Sequence, residues 1–145
     1  MFVSIKRDSE YSSFKIIDYK KYVIMTIKKI LIVDDSPTDR HLLSSILTRS
    51  GYQVGFANSG EDGVAMSKEG EPDLVLMDVV MPGLNGFEAT RMIVKDKATM
   101  HIPIIICSTK RQPTDKIWGM RQGAKDYVTK PVVAEELLRK ISQLN

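Results

Sequence analysis

The stretch Glu71-Pro72-Asp73-Leu74-Val75-Leu76-Met77-Asp78 sets four consecutive apolar residues between two acids. A run this short, bounded by polar and turn-forming residues, suits a strand buried on both faces of a parallel sheet. Two further runs have the same form: Ile30-Leu31-Ile32-Val33 and Ile104-Ile105-Ile106-Cys107. Weaker ones are Tyr52–Ala57 and Tyr127-Val128-Thr129. Helix signals lie between them. Ser36-Pro37-Thr38-Asp39 reads as an N-cap, a proline at N1 and an acid at N3. Leu42, Leu43, Ile46 and Leu47 then form an apolar face, and Gly51 is the expected stop. Ser59 with Asp62, and Asn85 with Glu88, have the spacing of caps. Gln112-Pro113-Thr114 opens a fourth helix that ends near Gly123. Glu135 to Leu144 makes a fifth, with Leu137, Leu138, Ile141 and Leu144 facing inward.

The pattern is β-α five times over. It predicts parallel strands joined by right-handed crossovers, in a doubly wound, flavodoxin-like (βα)5 sheet of order 2-1-3-4-5. A (βα)8 barrel would need a longer chain than these 145 residues. Residues 27–145 are read as this one domain. Residues 1–26 lack a sustained period and are read as an N-terminal extension, non-native or disordered, with Met25 as the true start and residues 1–24 upstream of it; the rival reading is a genuine tail that docks on a partner. No stretch is long and apolar enough for a signal peptide or a membrane span.

Composition narrows the function. The net charge is +3, and the first 24 residues hold Lys6, Arg7, Lys15, Lys20 and Lys21 against Asp8, Glu10 and Asp18. The remainder is near neutral, without a general attraction for nucleic acid or membranes. Lys110, Arg111, Lys116, Arg121 and Lys125 form a basic stretch, read as a solvated helix face. The single cysteine, Cys107, fits a reducing cytoplasm and a buried core position. His41 and His101 lack a metal-binding spacing and are read as surface residues.

In an open parallel sheet, ligands bind beyond the carboxyl ends of the strands. The residues that follow the runs are Asp34-Asp35, Asp78, Ser108-Thr109 and Lys130-Pro131. With the predicted strand order they converge. Three carboxylates about 4 Å apart repel by roughly 4 kcal/mol per pair at an effective dielectric near 20. A hard cation such as Mg²⁺ among them relieves this, and lysine and hydroxyl beside it complete a phosphate cradle. A carboxylate there can itself be phosphorylated. Taken singly, each group has an ordinary explanation as a cap or turn residue. Four such coincidences at successive strand ends do not.

Ile30–Asp35 with Ser36, Pro72–Asp78 with Met81-Pro82-Gly83 and Gly86, Pro103–Ser108, and Gly123-Ala124 leading to Tyr127 and Lys130-Pro131 together resemble the receiver domain of response regulators. The likeness covers about residues 27–145 and is nearest to small chemotaxis-type regulators. Within these, Ser108-Thr109-Lys110 through Trp118–Ala124 looks like the regulators of type IV pilus twitching motility.

The resemblance implies Asp78 as phosphoacceptor, with Mg²⁺ held by Asp35, Asp78 and the Val80 carbonyl, and by Asp34 through a water. It implies Ser108 and Thr109 as the hydroxyl side of the phosphate site and Lys130 as its ion-pair partner. Tyr127 matches the aromatic switch residue, and Lys130-Pro131 a pair usually joined by a cis bond. Ser108 stands where the family more often has threonine. The expected donor is a sensor histidine kinase, and the expected output is protein binding through the fourth helix, fifth strand and fifth helix, with Trp118 and Tyr127 on that face. The 14 residues after Pro131 suffice for one helix, so no appended output domain is expected. Val80 and Lys110 flank the path of a hydrolytic water, and neither can accept its proton, so slow dephosphorylation is expected. The chain is read as a switch and not as an enzyme.

Two other readings use the same kind of sheet. An Asp-nucleophile phosphatase or dehalogenase usually places its two acids two residues apart after strand 1, whereas Asp34 and Asp35 are adjacent. A flavin binder would find the acidic loop Asp34-Asp35-Ser36-Pro37 repelling its phosphate.

Overall fold

The computed structural model describes residues 27–145. The expectations for residues 1–26 lie outside the described residues. Five strands and five helices alternate: β1 Lys29–Val33, α1 Pro37–Arg49, β2 Gln53–Ala57, α2 Gly60–Gly70, β3 Leu74–Met77, α3 Gly86–Lys95, β4 Ile104–Ser108, α4 Pro113–Gln122, β5 Asp126–Thr129 and α5 Ala134–Ser142. All pairings are parallel and the order is β2-β1-β3-β4-β5, as predicted.

The apolar runs are continuous because each strand serves two cores. Successive side chains point to opposite faces. Ile30, Ile32, Leu74, Leu76, Ile105, Cys107 and Val128 pack against Leu43 and Leu47 of α1 and Leu137 and Ile141 of α5. The alternate residues Leu31, Val33, Val75, Met77 and Ile104 pack against Ala89 and Ile93 of α3, with Val64 of α2 beside them. β3 and β4 are buried at every position.

The caps behave as read. Ser36, Ser59 and Asn85 each accept a hydrogen bond from the backbone N–H three residues on, and the Glu88 carboxylate in turn accepts from the Asn85 N–H. Gly51 and Gly123 follow their helices with φ +93° and +113°, a region glycine enters without steric cost.

Two helix details differ from expectation. Leu42 is 45% exposed and not part of the inward face of α1. Leu43 and Leu47 centre that stripe, and a residue 100° away from Leu43 falls at its edge. α5 ends at Ser142, and Leu144 packs on the core from beyond it. Among the described residues no helix is long and apolar enough to cross a membrane.

Candidate functional site

β1 and β3 are neighbours in register, with Val33 opposite Met77. The residue after each, Asp34 and Asp78, therefore emerges side by side. Asp34 N–H donates to the Ala57 carbonyl at 3.0 Å and Asp78 N–H to the Val33 carbonyl at 2.9 Å, so the ladder carries both acids to its last rung. Asp34, Asp35 and Asp78 each bring a carboxylate oxygen within 4.8 Å of the others. Asp34 and Asp78 are buried and Asp35 is exposed.

Lys130 reaches this cluster from the end of β5. Its Nζ lies 2.7 Å from Asp34 Oδ2, 2.8 Å from Asp39 Oδ2 and 3.4 Å from Asp78 Oδ1. The Lys130–Pro131 bond is cis. Burial works against the ammonium, but hydrogen bonds to Asp34 and Asp39 outweigh it and hold Lys130 above the usual lysine range. Asp78 moves the other way from an ordinary carboxylate. Burial and the neighbouring Asp34 charge raise it to about 6, against the opposing pull of Lys130. At neutral pH it is mostly ionised, yet it is a more basic carboxylate than an exposed one.

Gly86 closes the floor. A Cβ there would stand 1.8 Å from the Asp78 carbonyl oxygen, and Gly86 N–H donates to the Val79 carbonyl at 2.9 Å. Only glycine lets the start of α3 approach the acid's backbone this closely.

On the β4 side, Ser108 is buried and its Oγ accepts from the Lys110 N–H at 3.1 Å. The Lys110 carbonyl accepts from the Tyr127 hydroxyl at 2.7 Å. Tyr127 is 6% exposed, so it points inward and does not lie on the outer face with Trp118, where sequence reasoning had put both. Its ring is accommodated against Ile106 and Phe87 in a small apolar cluster, which only tertiary packing reveals. Trp118 is 49% exposed, next to Ile117 at 54% and near Met120 at 45%. Thr109 and Lys110 are exposed at the cleft mouth, and the Val80 side chain is 56% exposed. Cys107 lies in the core, where burial pushes its thiol up to about 12, so it is no nucleophile.

Three participants were missed by sequence reasoning. Asp39 was read only as an acid at the start of α1, yet it shares the Lys130 ammonium. Arg40 Nη1 donates to the Asp34 carbonyl at 2.8 Å, and Arg111 Nη2 to the Lys130 carbonyl at 3.1 Å. The available signal for Asp39 and Arg40 was position: both lie in the first turn of a helix that starts directly after the acidic strand end.

The donor set fits a hard dication. It consists of carboxylate oxygens alone, without sulfur or imidazole, and in the cleft one lysine faces four aspartates.

Comparison with known proteins agrees with this geometry. A family model described as the response regulator receiver domain matches residues 30–142. Protein PilH of Pseudomonas aeruginosa is 58% identical over 114 residues, covering 79% of this chain and 94% of that protein. The crystal structure of the chemotaxis protein CheY4 of Vibrio cholerae is similar with a TM-score of 0.76 and 30% identity, over 83% of this chain and 100% of that one. The receiver domain of a sensor histidine kinase from Pseudomonas aeruginosa, solved with a magnesium ion coordinated in its active-site cleft, has a TM-score of 0.75 and 28% identity, over 82% of this chain and 98% of that one.

Proposed function

The chain belongs to the response regulator receiver family, and on that premise we propose that Asp78 accepts a phosphoryl group from the phosphohistidine of a sensor histidine kinase. The observation that carries this reading is the convergence of Asp34, Asp35 and Asp78 around one point, with Lys130 Nζ 3.4 Å from Asp78.

An Asp78 carboxylate oxygen attacks phosphorus. The P–O bond forms as the P–N bond to the donor imidazole breaks, and the imidazole keeps the electron pair. Desolvation makes the carboxylate a stronger nucleophile while leaving it mostly ionised at pH 7. Asp35, Asp78 and the Val80 carbonyl, with Asp34 through a water, would hold Mg²⁺. When bound, this ion supplies positive charge to the phosphoryl oxygens. Lys130 supplies a second, fixed positive charge. Ser108 turns its hydroxyl onto a phosphoryl oxygen, and Thr109 lies beside it in the same loop.

The product carries about two negative charges where the carboxylate carried one, and three strong acceptors. Ser108 is drawn towards them, Lys110 and Tyr127 follow, and the α4–β5–α5 face changes its affinity for a downstream protein. The exposed Ile117, Trp118 and Met120 on α4 support that face as the output surface. The chain acts as a switch, whose own chemistry goes no further than self-phosphorylation from small donors and slow loss of the group. Likeness to PilH supports a role in type IV pilus, chemotaxis-like signalling, with output by protein binding, and the near-neutral charge beyond the first 24 residues speaks against contact with nucleic acid or membrane. A cytoplasmic location follows from such a donor. With Val80 and Lys110 flanking the water path, the phosphoryl group is lost slowly.

The test is intact-mass measurement after incubation with acetyl phosphate and Mg²⁺. Wild type gains one phosphoryl group and Asp78→Asn gains none. Labelling of the variant at wild-type yield would reject Asp78 as acceptor.

A further inference from the structure

The Lys130 ammonium has three N–H donors and three carboxylates around it, and the distances rank them. Asp34 and Asp39 are in close contact at 2.7 and 2.8 Å, while Asp78 stands at 3.4 Å. The longest contact is thus the one to the residue that would carry the phosphoryl group. Asp39 differs from the other acids in origin. It comes from the first turn of α1, not from a strand end, and its side chain is 38% exposed. Solvent can satisfy this carboxylate, so burial does not oblige it to pair with Lys130.

We propose that Asp39 is a positioning residue that competes with the group on Asp78 for the Lys130 ammonium, and so sets how tightly the cleft holds a phosphoryl group. The proposal rests on Asp78 being the phosphoacceptor. An ion pair made equally in both states would change nothing, because only differential binding shifts an equilibrium. Here the Asp39 pair is at full contact in the unmodified protein. A phosphoryl group brings about one further negative charge and three strong acceptor oxygens to the same ammonium, and whatever Asp39 retains of Lys130 is withheld from it. Asp39 therefore favours the resting state. A partly exposed pair of this kind supports a modest bias, about 3- to 5-fold in affinity.

The probe is beryllofluoride, a phosphoryl mimic, titrated by calorimetry at saturating Mg²⁺. Asp39→Asn should bind it about 3- to 5-fold more tightly than wild type, and Asp39→Glu should return near the wild-type value. A loss of helix stability alone would lower the melting temperature without tightening binding. The gain should vanish in the Lys130→Gln background. A gain of equal size there would mean that the charge acts through space and would overturn the latch. Equal or weaker binding by Asp39→Asn overturns it as well.

A crystal structure of metal-free Asp39→Asn supplies an arm that needs no phosphate chemistry. Lys130 Nζ should move into hydrogen-bond contact with Asp78, and its staying in place overturns the proposal. That structure decides if Lys130→Gln abolishes binding altogether. Wild type failing to bind beryllofluoride would instead defeat the phosphoacceptor reading, and the crystal structure would then judge the Lys130 latch separately.

Discussion

At the start of β3 the Asp73 carboxylate accepts two backbone hydrogen bonds, from the N–H groups of Lys28 and Lys29, both at 2.9 Å. At the end of the same strand, five residues on, Asp78 is buried beside Asp34 and stands 3.4 Å from a lysine that two other acids hold more closely. Asp73 ties the entry of β1 to β3 and has its partners within the fold. Asp78 is left with excess negative charge that the fold only partly offsets. One strand thus places a structural acid at its amino end and the proposed phosphoacceptor at its carboxyl end. The difference comes from the neighbours that parallel strand order supplies, not from the residue type.

The sharpest way to break this comparison is at the floor of the reactive end. Gly86→Ala puts a methyl group into the Asp78 carbonyl, and neither backbone can yield cheaply. A loss of about 3 kcal/mol is expected in urea unfolding. A loss below 1 kcal/mol would show that the close approach of α3 is not a constraint.

Next in size is the contrast of sign between the two acids. Asp78→Asn removes a desolvated charge and should stabilise the protein in EDTA by about 1–2 kcal/mol, once solvent screening at the cleft mouth is allowed for. The gap should narrow in Mg²⁺, which stabilises only the folded form that binds it. Asp73→Ala should do the opposite at about the same magnitude, because it strips two backbone donors of their acceptor. Melting curves of the two variants that shift in the same direction would dissolve the distinction.

Acidity gives a related test. Folding raises Asp78 from 3.8 to about 6, so the folded form holds this proton more tightly than the unfolded chain does. Its contribution to stability is fully present below pH 3.8 and is lost as pH rises through 6. Wild type in EDTA should therefore lose stability relative to Asp78→Asn between about pH 4 and pH 6, and parallel curves would contradict the raised value.

The smallest effect belongs to Val80, whose exposed side chain contributes little to the fold. Val80→Asn should leave the melting temperature within about 2 °C of wild type. It should speed decay of the phosphorylated protein a few-fold, by orienting the hydrolytic water. The decay is read after donor removal at fixed Mg²⁺, and an unchanged rate would remove the side chain from control of the lifetime.

Much of this was legible in the order of residues. The three apolar runs announced strands covered on both faces, and Ser36, Ser59 and Asn85 announced helix starts, because these signals are local. Asp34, Asp35, Asp78, Ser108 and Lys130 were found by asking what stands after each run, which needs only the strand order. Asp39 was missed since its partner Lys130 is 91 residues away, and its N3 position offered a sufficient local explanation. Tyr127 was misplaced for a similar reason. A strand residue at a sheet edge can face either way, and Ile106, Phe87 and the Lys110 carbonyl decide between them. The start of α5 carried no cap because Val133 has no side-chain group to provide one.

The backbone of Lys110 joins two side chains of different character. Its N–H donates to the Ser108 hydroxyl oxygen, and its carbonyl accepts from the Tyr127 phenol. These two groups belong to successive planar peptide units that meet at the Lys110 Cα, where φ and ψ remain the only soft joints. When Ser108 is pulled a fraction of an ångström, the two planes either turn about that Cα or carry the shift to the far oxygen, and in the second case Tyr127 travels with it or lets go. The path from the cleft to the aromatic ring is therefore a single residue long, two stiff plates on one pivot, and the freedom of that pivot decides how much of the pull arrives.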